Sequence, residues 1–335
     1  MEIASQCKIS SLNYKNMKHW ILGVDEAGYG PNLGPFVVTG TLWEIPENRF
    51  NDAYNDHLIL QECLKDVVTD RPRLLQDGSR EIVIGDSKKI YTASKSLDDL
   101  ERTVRHCLAI LGYFPRDWRE LLDILAPDDL ESVLSCYDPD TLPLIWERQS
   151  SFSDCFKKYE VNLKSVKSRM ITPKVFNQFL DQLENKSHLL TEVTMHLVER
   201  MLREVPEGQV TVVCDKHGGR NRYLDILYHW FPDQIIEVVI EGREVSIYRF
   251  GSDSHRMEFQ FRCKGDELIP TGLASIVSKF LREISMKIFN DFWIKKIPGL
   301  KPTAGYPLDA VRFYEQIREK AKSLNIPQSF LWRNK

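Results

Sequence analysis

The chain has 335 residues, 28% of them charged and 42% hydrophobic, which suits a globular protein of one or two domains whose core needs neither disulfides nor a structural metal. The formal net charge of −3 excludes an overall basic excess, although a local basic stripe attracts phosphate on an acidic protein too. Seven scattered cysteines with no CxxC pair point to reduced thiols in the cytoplasm, with no zinc ladder or disulfide framework. No apolar run precedes Trp20 as a signal peptide would, and none approaches the ~20 residues that span a membrane.

Residues 1–18 are polar and read as a frayed end. Trp20–Val24 reads as a short buried strand that runs into the turn-rich stretch Asp25-Glu26-Ala27-Gly28-Tyr29-Gly30-Pro31, and Phe36–Trp43 as its hairpin partner. Arg80–Ile84 is a strand candidate leading to Asp86-Ser87-Lys88-Lys89. Leu97, Leu100, Val104, Cys107, Leu108 and Leu111 recur at helical spacing, and Pro115, Pro127, Pro139 and Pro143 punctuate the stretch up to residue 150. Val161–Ile171 alternates as a strand, Leu189–Val205 reads as a helix, and Gln209–Cys214 is a strand ending on Asp215. Ile235–Ile240, Val245–Phe250 and Met257–Cys263 are further strands. After Asp266, an amphipathic helix sets Leu273, Val277, Phe280, Leu281, Ile284 and Ile288 on one stripe, with Ser275, Lys279, Arg282 and Met286 opposite. Asp309–Lys322 is the last helix. Strands mixed with helices in this order predict an α/β or α+β sheet protein.

Two strands end in acids, Asp25-Glu26 and Asp215. If they are parallel neighbours, the acids meet at one sheet edge, where ligand sites form, and Asp266 can reach the same place. Clustered carboxylates repel one another and call for cations. Oxygen-only donors favour Mg²⁺ or Mn²⁺, and two such ions can flank a phosphate. Each acid also has an ordinary reading, Asp25-Glu26 as a solvated turn and Asp266 as a helix cap. Gly28, Gly30 and Gly34 let a backbone approach a ligand closely but match neither a Walker A loop nor GxGxxG. Lys216, His217, Arg220 and Arg222, clustered after Asp215, suit a phosphate backbone or a plain surface loop. His217 is also a proton-shuttle candidate, and Lys88, Lys89, Lys279 and Arg282 are further phosphate candidates.

Gly23–Pro31 resembles the GxDEAGRGP motif of the ribonuclease HII family, and Asp86–Lys89 its DSKKL motif. Val213-Cys214-Asp215 is similar to the strand carrying the family's third acid. Lys264-Gly265-Asp266 with Leu273–Lys279 and Arg282-Glu283 is similar to its KGD…AASILAKVxRD stretch, and Gly305-Tyr306-Pro307 to HKGYPT. The five motifs keep the family's order between about residues 20 and 310.

The resemblance implies an α/β ribonuclease H-like mixed sheet flanked by helices. The expected units are a catalytic domain over 19–290, a helical insertion over about 92–158 and a C-terminal helical extension over 291–335. It implies two-metal hydrolysis of the RNA strand of RNA–DNA hybrids, or of DNA at embedded ribonucleotides. Asp25, Glu26, Asp215 and Asp266 would be the metal-binding, catalytic acids, with Mg²⁺ or Mn²⁺. Gly28, Tyr29 and Gly30 would read the 2′-hydroxyl and Tyr306 would pack on the sugar. Lys88, Ser275 and Lys279 would contact the backbone, with Lys216 and Arg220 as neighbouring phosphate contacts. Tyr29 stands where the family has arginine, Lys216 where it has glycine, and Thr303-Ala304 where it has His-Lys. A nuclease acting on another nucleic acid, and a non-catalytic nucleic-acid-binding relative, are the alternatives.

Overall fold

A computed structural model describes residues 18–45, 56–65, 68–69, 82–85, 97–137, 160–182, 185–206, 208–252 and 255–334. In chain order these form β1 (His19–Ala27), β2 (Phe36–Ile45), α1 (Asp56–Leu64), β3 (Val68–Thr69), β4 (Ile82–Val83), α2 (Asp98–Ile110), α3 (Trp118–Leu125), α4 (Leu130–Leu134) and β5 (Asn162–Ile171). They continue with α5 (Pro173–Gln182), α6 (Lys186–Leu202), β6 (Gln209–Asp215), α7 (Leu224–Trp230), β7 (Glu237–Glu241), β8 (Val245–Phe250), β9 (Met257–Arg262), α8 (Ile269–Lys296), α9 (Pro307–Ser323) and α10 (Gln328–Leu331).

Seven strands make one mixed sheet in the order β5-β2-β1-β6-β9-β8-β7. β1 is antiparallel to β2 and parallel to β6, and β6 is parallel to β9. The Lys88-bearing motif at 86–89 and residues 138–158 lie outside the described residues.

β1 is central because its side chains are apolar on both faces. Trp20, Leu22 and Val24 join a core cluster with Phe176 of α5 and Leu189, Val193 and Leu197 of α6. Ile21 points the other way, into a cluster with α8, the helices of the 98–134 segment and α9. Alternation of side chains along a strand puts Gly23 and Asp25 on that same face. Gly23 has a steric reason: a Cβ there would lie 2.3 Å from the Pro270 carbonyl carbon. The start of α8 therefore rests directly on the β1 backbone, and Thr41 of β2 fixes it further by donating to the Pro270 carbonyl at 2.8 Å.

α8 departs from the amphipathic expectation. The face opposite the apolar stripe is buried as well, with Ser275 4%, Arg282 1% and Met286 2% exposed. The helix is covered on both sides, and Ser278 is satisfied inside the protein: its Oγ lies 2.8 Å from Thr39 Oγ1 and 3.2 Å from the Asp25 carbonyl. The 98–134 segment is welded to the sheet. Asp129 accepts from Arg169 Nε at 2.9 Å and from the Met170 amide at 2.7 Å, both on β5, and Trp118, Leu121 and Leu122 enter the α8 core. Phe313, Ile317 and Leu331 of the C-terminal helices enter it too. Among the described residues, no helix is long and apolar enough to cross a membrane.

Candidate active site

Parallel pairing decides where the acids go. Val24 and Cys214 are register partners on β1 and β6, so Asp25 and Asp215 leave the same edge of the sheet one residue later. The chain then returns beside Asp215 after β9. Lys264 adopts a left-handed conformation (φ 58°) that turns the backbone, and the Gly265 amide donates to Asp215 Oδ1 at 3.0 Å. That bond sets the following Asp266 against the end of β6.

Asp266 sits in a single 3-10 turn, Gly265–Glu267, ahead of α8. The N-cap of α8 is Leu268, with no side-chain cap, so the capping reading of Asp266 does not hold. Asp25 and Glu26 are not a solvated turn either: both are still paired with β2, opposite Thr39 and Val38, and Asp25 is buried.

Asp25, Glu26, Asp215 and Asp266 line one cavity of about 330 Å³, together with Ala27–Pro31, Ser275, Lys279, Arg282 and Tyr306. The Asp25 carboxyl is held well above the usual carboxylate range, first by burial and then by the negative charge of Glu26. A hydrogen bond from Ser275 pulls the other way, and Asp215 adds further repulsion. Among the described residues, no three acid, histidine or cysteine side chains stand as a group that could hold a metal ion as placed. The four carboxylates line the same cavity.

The remaining cavity wall is built from the loop after β1 and from both ends of the 270–306 stretch. Gly28 has φ 84°, and a Cβ there would lie 2.6 Å from both Arg282 Cδ and the Pro35 carbonyl. Only glycine fits that close approach. A Cβ at Gly30 would meet nothing within 4 Å, so the backbone there faces open space. Tyr29 packs edge-on to Phe36 at 6.0 Å; its hydroxyl is shifted up by burial and by Glu26, with Arg220 opposing. Lys279 and Arg282 share Glu283 Oε1, at 2.6 and 2.8 Å. Arg282 also donates to the Ala304 carbonyl at 2.7 Å and lies 5.8 Å from the Tyr306 ring centroid. Tyr306 is 52% exposed at the rim.

Lys216 and Arg220, expected beside the acids, do not join the cavity lining. Lys216 Nζ turns to the β7–β8 connection, donating to the Gly242 carbonyl at 2.6 Å, Ser246 Oγ at 3.1 Å and Asn221 Oδ1 at 3.2 Å. Arg220 donates to Thr191 Oγ1 at 3.2 Å and Ser187 Oγ at 3.3 Å on α6. His217 is buried between Tyr223 and Phe261, and desolvation lowers its pKa to about 3. It does not line the cavity, so it is not placed to shuttle a proton there.

No protein-family model matches the chain, nor does any curated protein. Among solved structures it is similar to one from the PCNA:RNase HII complex of Archaeoglobus fulgidus and to ribonuclease H2 of Pyrococcus horikoshii OT3. Each likeness has 14% identity and a TM-score of 0.43, over 93% of this chain and 92% of that chain. Bst-RNase HIII in complex with Mn²⁺ is similar at 10% identity and a TM-score of 0.41, over 99% of this chain and 71% of that one. Overlaps this loose leave the functional question to the side chains of the cavity.

Proposed function

We propose that the chain is a metal-dependent endoribonuclease that hydrolyses the RNA strand of RNA–DNA hybrids or cuts DNA at embedded ribonucleotides. The observation that supports it is that Asp25, Glu26, Asp215 and Asp266 line one cavity with the Gly28–Gly30 backbone, Lys279 and Tyr306. The donors suit the cation by chemistry. They are all carboxylate oxygens, which favours Mg²⁺ or Mn²⁺ over zinc, and the repulsion that raises Asp25 is what a divalent charge relieves. Two bound ions would supply an activated water and charge stabilisation for the leaving oxygen.

The chain's own groups do the positioning. Ser275 orients Asp25 by a hydrogen bond, and the Gly265 amide orients Asp215. The open space above Gly30 admits a sugar–phosphate backbone. Lys279, held by Glu283, offers a positive charge to a phosphate. The exposed Tyr306 ring presents a flat apolar face for a ribose. Free cysteines at 63, 107, 136, 214 and 263 accord with a reducing compartment such as the cytoplasm.

A panel of labelled duplexes tests this reading: RNA–DNA hybrid, DNA with one ribonucleotide, all-DNA and duplex RNA, each with Mg²⁺ or Mn²⁺. Cleavage confined to substrates with a 2′-hydroxyl beside the cut, leaving 5′-phosphate and 3′-hydroxyl ends, is expected. Equal cutting of all-DNA duplex would move the assignment to another nuclease class, and no cleavage of any duplex with either metal would remove it.

A further inference from the structure

The cavity-lining loop runs on from Pro31 through Asn32 and Leu33, and the structure clamps that backbone from two sides. On one side the Asn32 and Leu33 amides both donate to the Gly305 carbonyl, at 2.8 and 3.2 Å. Gly305 has φ 81°, and a Cβ on it would lie 2.5 Å from the Leu33 carbonyl oxygen, so the two loops touch backbone to backbone. On the other side lies the segment after α10. Trp332 bridges Leu33 in antiparallel fashion. The Arg333 amide donates to the Asn32 carbonyl at 2.8 Å, and Asn32 Nδ2 donates to the Arg333 carbonyl at 3.2 Å. The segment is itself pinned to α5: Asn177 Nδ2 donates to the Trp332 carbonyl at 2.9 Å, and the Asn334 amide to Asn177 Oδ1 at 2.8 Å.

The Arg333 side chain completes the clamp at a cost. It is fully buried, donates through Nη2 to the Pro31 carbonyl, and lies 4.9 Å from the Phe176 ring centroid. Its Nε and Nη1 have no hydrogen-bond partner among the described residues, and no ion pair of Arg333 occurs among them. Burial and the nearby charge of Arg282 bring its pKa down to about 9, so it still carries its charge at neutral pH. A buried cation with two unpaired donors opposes folding, and an apolar side chain of similar length would fill the space without that penalty. What the guanidinium adds is a fixed grip on Pro31, the last loop residue of the cavity wall.

We propose that Arg333 is a positioning residue for the cavity: from behind the wall it locks the Pro31–Leu33 backbone, and so holds Gly28–Gly30 at the spacing from Tyr306 that a ribonucleotide needs. The catalytic part of this inference rests on the proposed ribonuclease function; the clamp itself does not. Arg333→Met and Arg333→Lys in the full chain test both. Arg333→Met is expected to keep or raise Tm, because it removes an uncompensated buried charge. Amide hydrogen exchange at Asn32 and Leu33 should become about tenfold faster or more, with the rest of the sheet unchanged. On DNA with one ribonucleotide, kcat should fall about tenfold or more while KM changes little, the pattern of a misplaced wall, and Arg333→Lys should restore part of both losses. Unchanged exchange at Asn32 and Leu33 overturns the clamp. So does a fall in cleavage that merely tracks a fall in Tm. A wild-type protein that cuts no duplex removes the ribonuclease reading, and the exchange measurement still decides whether Arg333 clamps the loop.

Discussion

Two polar clusters flank the end of β6, and they differ in how their charges are met. In the cluster built on residues 216–248, every group named has an internal partner. Lys216 Nζ has Gly242, Ser246 and Asn221, and the His217 amide donates to Tyr223 Oη at 3.1 Å. The Tyr223 amide donates to Tyr248 Oη at 2.8 Å, which in turn donates to Glu241 Oε1 at 2.5 Å. In the cavity cluster, Asp25 is surrounded by burial and by the like charges of Glu26 and Asp215, against hydrogen bonds from Ser275 and the Glu26 backbone. A satisfied network rigidifies a fold, whereas a frustrated one stores electrostatic energy that a ligand can release. Both clusters carry the residue types of a phosphate or metal site, but only the second is left short of positive charge at Asp25.

Substitutions at the two clusters should therefore part company, and Asp25→Asn should separate them most. It is expected to lower ribonucleotide cleavage on the order of 10³-fold, the scale of losing a group that stabilises developing charge. It should also raise the Tm of metal-free protein near neutral pH. The folded-state pKa of Asp25 lies above its ordinary value of 3.8. Its protonated form thus favours folding below that value, and this contribution is lost as pH rises through the raised pKa. Asparagine keeps the neutral form at every pH. Calorimetry in a chelating buffer checks the stability half, and a lower Tm for Asp25→Asn would break the contrast.

Gly28→Ala comes next. The added methyl meets Arg282 and the Pro35 carbonyl at a positive φ, so cleavage should drop about 10²-fold from loop displacement, with about 1–3 kcal/mol of stability lost. Lys216→Met should show the opposite balance. Stranding the Gly242 and Asn221 acceptors costs about 1–3 kcal/mol in denaturant unfolding, while cleavage per folded molecule stays at the wild-type level. A cleavage defect in Lys216→Met without instability would return that lysine to the substrate surface.

The smallest effect is pH-dependent. His217 has a folded pKa of about 3 against 6.5 for the free side chain, so its neutral burial favours folding above pH 6.5. That contribution declines as pH falls from 6.5 toward 3, because the unfolded chain takes up the proton first. Tm measured between pH 7 and 5 should fall, and less steeply in His217→Asn.

Much of the fold was legible because strand patterning is local. Val245–Phe250 has the bounds expected for it as a strand, and Gln209–Cys214 gains only Asp215. Ile235–Ile240 shifts to Glu237–Glu241, a mostly exposed edge strand whose apolar residues face no core to fix the register. The two-sided burial of α8 was hidden for another reason. Ser275 and Arg282, set opposite the apolar stripe, look polar-facing until their partners Asp25 and the Ala304 carbonyl are known.

The acids were legible as strand ends, but their meeting depends on β1 and β6 being parallel neighbours, a long-range pairing that no local signal carries. Lys216 and Lys279 looked alike beside the acids, and only their partners distinguish them. Arg333 and Asn32 had no signal at all: an arginine in a polar end and an asparagine in a turn are ordinary until the backbone they grip is seen.

The proposed function requires the four carboxylates to act together as one divalent-cation site. Titration of Mn²⁺, followed by the loss of the free-ion electron paramagnetic resonance signal, tests it directly in wild-type protein and in Asp25→Asn/Asp215→Asn. Saturable uptake of at least one ion by the wild type, absent in the double variant with its fold intact by circular dichroism, is the expected result. Uptake that is equal in both proteins, or missing from the wild type, would contradict the account.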